Sequence, residues 1–299
     1  MQAETTLTER PDAQHALGVV LVVCSAAAFG LAGILTKSVN ADAIVIACWR
    51  GLFGFVFVLG YVTWRARRDG TGLGAFRLGW QGCLMAAVGA VSSLAFIGAF
   101  RNTYVANVTI IYATAPFVAA GLAYLILRER TRAQTLVAAL TSLGGVGIMV
   151  SAGIGTGNLF GDMLALVMTL LSALYIVLIR QFRDTPVVWA GAVSAAIVFF
   201  FGWLVADPLA ITFNDGLLLF AFGLAFAVAV ILWTEGARLV PAAEAGLLGA
   251  AEVPFAVFFA IIFLSELPPL SSVIGGAIVL GSVVAHAGLD WRNARTRST

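Results

Sequence analysis

Long apolar stretches, separated by short polar turns, dominate this chain and decide what it can fold into. A helix that crosses the hydrocarbon core of a bilayer needs about 20 consecutive, mostly apolar residues. The chain contains ten such stretches, and we predict that each forms a transmembrane span. They cover residues 16–37, 41–64, 79–100, 104–127, 132–151, 160–180, 186–206, 213–235, 241–264 and 270–289. The predicted fold class is therefore an all-α integral membrane protein with ten transmembrane helices.

The composition is that of a protein whose solvent is lipid. Hydrophobic residues make up 61% of the chain and charged residues only 11%, whereas a soluble domain has about 25% charged residues. The net charge of +2 and the absence of basic clusters among aromatic residues argue against nucleic acid as a partner. Two histidines, with three cysteines that lack a C-x-x-C spacing, predict neither a metal site nor another cofactor.

Basic residues accumulate on one side of the predicted bundle. Of the 17 lysine and arginine residues, 14 fall on the side that holds both termini and the even-numbered loops. Lys37 and Arg101 fall on the other side, and Arg50 lies within span 2. Because positively charged loops stay in the cytoplasm, we predict an inner (plasma) membrane protein with two cytoplasmic tails, residues 1–15 and 290–299.

Two proline-containing spans carry the same local sequence pattern. Span 4 contains "ATAPF" around Pro116, and 138 residues later span 9 contains "AEVPF" around Pro254. With short gaps, the same alignment pairs Arg101 with Arg238, Glu129 with Glu266 and Lys37 with Arg180. We therefore predict two five-span repeats, residues 16–151 and 160–289. Because five is odd, the second copy crosses the membrane in the opposite sense, an architecture that secondary transporters use.

The order of these landmarks resembles the drug/metabolite transporter superfamily. Each half has a mid-span A-x-x-P-F, a helix end with glutamate, and then a glycine-rich span, "AALTSLGGVGIMV" or "VIGGAIVLGSVV". From about residue 16 to 289 the chain is similar to the ten-helix EamA-type members, and most similar to the YddG-like exporters of aromatic and other amino acids. The resemblance implies a 5+5 inverted repeat around a central substrate pathway. Spans 1, 3, 4, 6, 8 and 9 would line the pathway, with spans 5 and 10 packed behind them.

Pro116 and Pro254 are candidate hinges. Proline removes one helical hydrogen bond and clashes with the preceding turn. We therefore predict that spans 4 and 9 bend at these positions to open and close the pathway. A static kink that only helps packing is the alternative, because proline is commoner in membrane helices than in soluble ones.

Several polar residues lie deep within spans 4 and 9. Asn107, Tyr112 and Thr114 are candidates to line the pathway, although hydrogen bonds between helices are the alternative. The sequence leaves open which face of span 4 meets the cavity. Glu252 is the repeat counterpart of Thr114, and an intramembrane carboxylate indicates function. It would bind a substrate ammonium group or carry a proton, the alternative being a hydrogen-bonded structural glutamate.

One buried cation and four aromatic residues complete the predicted set. Arg50 needs a partner or water at its depth in span 2. Because the resemblance implies that span 2 is peripheral, we predict a structural role for Arg50 rather than contact with a substrate carboxylate. Phe29, Phe96, Tyr175 and Trp233 lie on spans expected to line the pathway, and such rings suit a mostly apolar cavity. Packing against other helices is the alternative for each ring.

The predicted function is that of a secondary transporter, which exports small metabolites, amino acids in particular, by alternating access. Sugar-phosphate, nucleotide-sugar or drug transport within the same superfamily is the alternative. An intramembrane enzyme is disfavoured because the sequence shows no cluster of acids, bases or metal ligands. ATP hydrolysis is not expected either, because the sequence contains no Walker motif. The expected partners are the bilayer and the small-molecule substrate. A monomer is expected, but the sequence fixes neither the oligomeric state nor coupling to protons.

Overall fold

The computed structural model describes residues 5–70, 76–128, 133–153 and 157–295. All regular structure in these ranges is helical. Within them, nine helical segments are long and apolar enough to cross a membrane, and the shorter apolar helix Glu252–Leu264 belongs to a tenth span. The predicted all-helical membrane fold is therefore confirmed.

Thirteen helices make up the ten spans. In chain order they are α1 Thr5–Gly30, α2 Ala32–Ser38, α3 Ala43–Arg68, α4 Gly79–Asn102, α5 Val105–Tyr112, α6 Ala115–Leu127, α7 Ala133–Gly153, α8 Leu159–Gln181, α9 Val187–Val205, α10 Phe213–Gly236, α11 Ala242–Gly249, α12 Glu252–Leu264 and α13 Leu270–Arg295. Three spans are interrupted: α1 and α2 form span 1, α5 and α6 form span 4, and α11 and α12 form span 9. Every other span is a single helix.

The breaks in spans 4 and 9 coincide with the two proline motifs. Each break divides its span into a helix of 8 residues and a helix of 13 residues. Pro116 and Pro254 lie in the first turn of the second helix, where a missing N–H removes no helical hydrogen bond. Backbone hydrogen bonds between residues three apart in sequence bridge the breaks. Examples are Thr114 N–H to Ile111 O at 3.1 Å and Val253 N–H to Ala250 O at 3.2 Å.

The second halves of spans 4 and 9 also end alike. Arg128 and Ser265, the residues that follow α6 and α12, adopt the left-handed conformation with φ of 56° and 51°. They are the non-glycine residues with positive φ in the described part of the chain. Glu266 follows Ser265, whereas Glu129, its predicted counterpart, lies outside the described residues. The backbone thus repeats at positions where the side chains differ.

Span 1 contains a break that the sequence did not predict, at Leu31. Its cause is close packing of α1 against α12. A Cβ on Gly30 would lie 3.0 Å from Phe255 Cβ and 3.1 Å from the backbone nitrogen of Ala256. Glycine also favours interruption because it has a low helix propensity. The broken spans 1, 4 and 9 are therefore neighbours in the bundle, since α12 also packs on α5.

The contacts between helices are equivalent in the two halves of the chain, when spans 1–5 are matched in order with spans 6–10. Span 3 packs on span 6 as span 8 packs on span 1, and span 3 packs on span 7 as span 8 packs on span 2. Span 2 packs on span 7, and span 5 on span 10, so each of these pairs maps onto itself. The equivalence places spans 5 and 10 together at one side of the bundle.

Spans 5 and 10 meet at a close backbone crossing. A Cβ on Gly145 would lie 2.7 Å from Gly275 O, and a Cβ on Gly275 would press on Gly145 O in return. A hydrogen bond between Ser142 and Ser282 fastens the same pair of helices. Small residues permit such close approach between membrane helices.

We expect Gly145→Ala to destabilise the protein, because the added methyl group must displace the backbone of α13. Overpacking of this kind costs about 1–3 kcal/mol. Its neighbour Gly144 has no atom within 4 Å of an added Cβ, so Gly144→Ala should be neutral or slightly stabilising. Thermal unfolding of the two variants in detergent measures the difference. Equal unfolding temperatures would contradict the close crossing.

Candidate functional site

A cavity of about 440 Å³ lies within the bundle. Its volume falls in the range of small-molecule sites, roughly 300–1,000 Å³. Among the described residues, spans 5 and 10 contribute nothing to its wall, in agreement with the arrangement implied by the resemblance. Spans 2 and 7 do contribute, together with spans 1, 3, 4, 6, 8 and 9. The wall thus takes residues from both halves of the chain.

The cavity reaches one face of the bundle, which we name the terminal face because the topology puts the start of α1 and the end of α13 there. Val187, the first residue of α9, and Trp233 and Thr234, in the last turn of α10, belong to the cavity wall. These helix ends lie at the terminal face. The opposite face is named the distal face.

Packed side chains close the cavity towards the distal face. Val39, Phe100, Val105 and Val108 belong to one buried cluster there, and each is at most 2% exposed. We name these four residues the distal plug. Arg101 adds a hydrogen bond from Nη1 to Val39 O at 3.2 Å.

An ion pair and a hydrogen bond join the three broken spans beside the plug. Lys37, at the end of α2, pairs with Glu266, which follows α12. Glu266 also accepts a hydrogen bond from the backbone N–H of Val105, the first residue of α5. A carboxylate at a helix N-terminus is favoured by the helix dipole. We name Lys37, Glu266 and the Val105 N–H the distal clamp.

Asn107 lies in a second polar network near the distal face and does not line the cavity. Its Nδ2 donates to Asp162 Oδ1 at 3.0 Å, and its Oδ1 accepts from Ser272 Oγ. Thr103 Oγ1 donates to the same Asp162 oxygen at 2.7 Å. Asn107 and Asp162 are 3% and 0% exposed. These hydrogen bonds join spans 4, 6 and 10. For Asn107 the structure therefore shows bonding between helices, the alternative to lining the pathway.

The other predicted residues of spans 4 and 9 lie in three different places: the cavity wall, the packed interior and the outer surface. Tyr112 and Glu252 line the cavity, each next to the break in its span. Thr114 is buried away from it, and its Oγ1 donates to Ile111 O at 2.7 Å. Pro116 and Pro254 are exposed on the outside of the bundle. The prolines therefore begin helices but present no surface to the cavity.

The four predicted aromatic residues lie at the cavity. They are Phe29, Phe96, Tyr175 and Trp233. Tyr175 is oriented by a bond from its hydroxyl to Val187 O at 3.4 Å. The sequence reasoning missed the serines of the wall, among them Ser92 and Ser172, whose hydroxyl groups lie 3.0 Å apart. Serines are common in membrane helices, so no sequence signal marks these.

Arg50 lies in the cavity wall although its span was expected to be peripheral. Span 2 packs against spans 7 and 8 and so reaches the centre of the bundle. Arg50 is 8% exposed, and its Nη2 donates to Ser93 Oγ. Its guanidinium carbon lies 5.8, 5.4 and 5.0 Å from the ring centroids of Phe96, Phe222 and Phe226.

Two charged residues belong to the described part of the cavity wall. Of the described residues that form the wall, Arg50 is the one base and Glu252 the one acid. The remainder are small, aliphatic, aromatic or hydroxyl-bearing. The described residues hold no group of three His, Cys, Asp or Glu side chains that suits a metal ion. The mostly apolar wall with a few polar groups is typical of sites for small amphipathic molecules.

Known proteins resemble this chain over nearly its whole length. The profile of the EamA-like transporter family matches residues 16–151 and again residues 159–286. An uncharacterized transporter from Archaeoglobus fulgidus is 27% identical over 288 residues, which are 92% of this chain and 96% of that relative. One solved structure, described only as a protein crystal structure, superposes with a TM-score of 0.65 at 18% identity. That similarity covers 93% of this chain and 98% of the other.

Proposed function

This chain belongs to the EamA-like transporter family, within the drug/metabolite transporter superfamily, and we propose that it exports amino acids, aromatic ones included, by alternating access. The family makes it a membrane transporter. The observation that supports amino acids is the cavity wall. Among the described residues of the wall, aromatic and aliphatic side chains surround one carboxylate, that of Glu252. A substrate with an ammonium group and a variable apolar side chain matches this arrangement.

The proposed orientation follows from the basic residues and the open face. Most of the lysines and arginines fall on the side that the sequence predicts for both termini, and the terminal face would therefore be cytoplasmic. The described state would then be open to the cytoplasm and closed outside by the distal plug and clamp. Substrate would enter from the cytoplasm and leave once the clamp separates and the terminal face closes. The breaks in spans 1, 4 and 9 allow the distal helices α2 and α5, and the distal end of α12, to move for this step.

The alternative substrates fit this wall less well. A sugar phosphate or nucleotide sugar carries several negative charges and requires several cationic groups. Among the described residues that form the wall, Arg50 is the one base. Glu252 would moreover repel a phosphate.

Flux measurements test the proposal directly. The purified protein is reconstituted in liposomes that are loaded with labelled phenylalanine, tyrosine, leucine, alanine or glucose 6-phosphate. We expect efflux of the amino acids above that of protein-free liposomes, with the aromatic ones among them, and no efflux of glucose 6-phosphate. Efflux of none of the amino acids would overturn the substrate class.

A further inference from the structure

Resting on the proposed function, we propose that Arg50 binds the carboxylate of the substrate. The transporter would then select amino acids over amines and amides that carry the same side chain. Glu252 and Arg50 would hold the two charged groups that every amino acid shares. The aromatic wall would accept the side chains that vary.

The charge of Arg50 is stabilised by its neighbours but is not neutralised. Removing a cation from water is costly unless other groups compensate. Cation–π attraction compensates in part, since three rings lie within 5.8 Å of the guanidinium carbon. Neither the rings nor the Ser93 hydroxyl carries a negative charge. The surroundings therefore stabilise the cation without neutralising it.

One N–H donor of Arg50 lacks a partner among the described residues. Its Nε is fully buried and finds no hydrogen-bond acceptor within the described part of the chain. No carboxylate there forms an ion pair with Arg50. An unpaired buried donor is costly, so buried polar atoms without a partner are uncommon. Arg50 belongs to the cavity wall, and a substrate anion would supply the missing acceptor once the side chains that cover Nε move aside.

The shape of the guanidinium indicates which kind of anion it would bind. The guanidinium presents its N–H groups as a planar fork that matches a carboxylate with two parallel hydrogen bonds. The bond from Nη2 to Ser93, together with the rings of Phe96, Phe222 and Phe226, fixes the orientation of this fork. Among the described residues of the wall, one cation and one acid share the cavity, which suits a monoanion that is joined to a cation. An α-amino acid fits this description.

A role in packing alone has different consequences. Arg50 contacts span 3 through Ser93 and Phe96, and span 8 through Phe222 and Phe226. If these contacts were its whole function, its replacement would alter stability but would not change the preference between ligands. The preference for a carboxylate over an uncharged group therefore separates the two roles.

The experiment compares phenylalanine with phenylalanine amide and phenethylamine. Both analogues keep the amine and the ring but lack the carboxylate. Binding to the full chain in detergent is measured by titration calorimetry, for the wild type, Arg50→Gln, Arg50→Lys and the control Arg183→Gln. Arg183 is exposed at the terminal face and does not line the cavity.

We expect the wild type and Arg183→Gln to bind phenylalanine about 10–100-fold more tightly than either analogue, as hydrogen bonds to charged groups predict. In Arg50→Gln this ratio should fall close to one. Arg50→Lys keeps the charge but loses the fork, so its ratio should be intermediate, and it serves if Arg50→Gln does not fold. Equal binding of all three ligands by the wild type overturns the role of Arg50 and leaves amino-acid transport standing. An unchanged ratio in Arg50→Gln does the same. No binding of phenylalanine by the wild type overturns both proposals for aromatic amino acids.

Discussion

Replacement of Glu252 by glutamine is expected to lower amino-acid transport about 10–100-fold, because the substrate ammonium group loses a charged acceptor whose hydrogen bond contributes about 1.5–3 kcal/mol. Glu252 is the first residue of α12 and lines the cavity. Glutamine keeps the size of the side chain, so the fold should be retained. Efflux of labelled phenylalanine from liposomes measures the effect.

Glu244→Gln is the matched control for this prediction. Glu244 lies on α11, in the other half of the same span, and pairs with His15 at 3.0 Å outside the cavity. Its replacement should leave the efflux rate near that of the wild type. Equal rates for all three proteins would exclude Glu252 from substrate binding.

The same liposomes test whether Glu252 carries a proton. As the one acid among the described residues of the cavity wall, it would be occupied by the substrate ammonium group. We therefore expect an imposed pH gradient to leave wild-type efflux unchanged. Efflux that follows the gradient in the wild type, and ceases to follow it in Glu252→Gln, would instead assign the residue to proton coupling.

Weakening the distal clamp is expected to open the cavity to the distal face. Glu266 holds Lys37 of span 1 and the Val105 N–H of span 4, so Glu266→Ala removes both links, whereas Lys37→Gln removes only the ion pair. The side chains of Lys37 and Glu266 are 22% and 13% exposed. An ion pair with this partial burial should contribute somewhat more than the 0–1 kcal/mol of surface pairs. We expect Glu266→Ala to have the larger effect.

Reaction of a cavity cysteine with an impermeant thiol reagent measures this opening. The background lacks Cys24, Cys48 and Cys83, and Ala32→Cys supplies a thiol in the cavity wall. With reagent applied at the distal face, the thiol should react about tenfold faster in Glu266→Ala than with the clamp intact, as a shift of about 1.4 kcal/mol predicts. The control is Asp42→Asn, at an exposed acid near the same face. No acceleration in either clamp variant would show that the clamp does not close the pathway.

Much of the fold followed from the sequence because bilayer thickness fixes the length of a span. The ten apolar stretches agree with the described spans, and the two proline motifs mark breaks at 113–114 and 250–251. The break at Leu31 was missed because it depends on Phe255 and Ala256, which pack on Gly30 from another span. A tertiary contact of this kind leaves no local pattern.

The candidate site was only partly predictable, because depth in the membrane and orientation are different properties. Polarity showed that Asn107 and Thr114 need partners, but not that Asp162, Ser272 and Ile111 supply them. For Arg50 the sequence showed a charge deep in the membrane. Because span 2 was expected to be peripheral, Arg50 was not predicted to line the cavity, although it lies in the wall. The four aromatic residues were expected at the cavity because the resemblance assigned their spans to the pathway, and they lie in its wall. Helix neighbours, rather than residue types, decide these outcomes.

Protection of a cavity thiol by substrate is the most direct test that amino acids occupy this cavity from the cytoplasmic side. Ser172→Cys, in the background without native cysteines, places the thiol in the wall, and Arg183→Cys places one on the exposed terminal face. An impermeant reagent applied at the terminal face should modify both. Phenylalanine at ten times its Kd should slow the reaction of Ser172→Cys about tenfold, since the reactive fraction falls with occupancy, and leave Arg183→Cys unchanged. Reaction of Ser172→Cys at the same rate with and without phenylalanine would contradict amino-acid binding in the cavity.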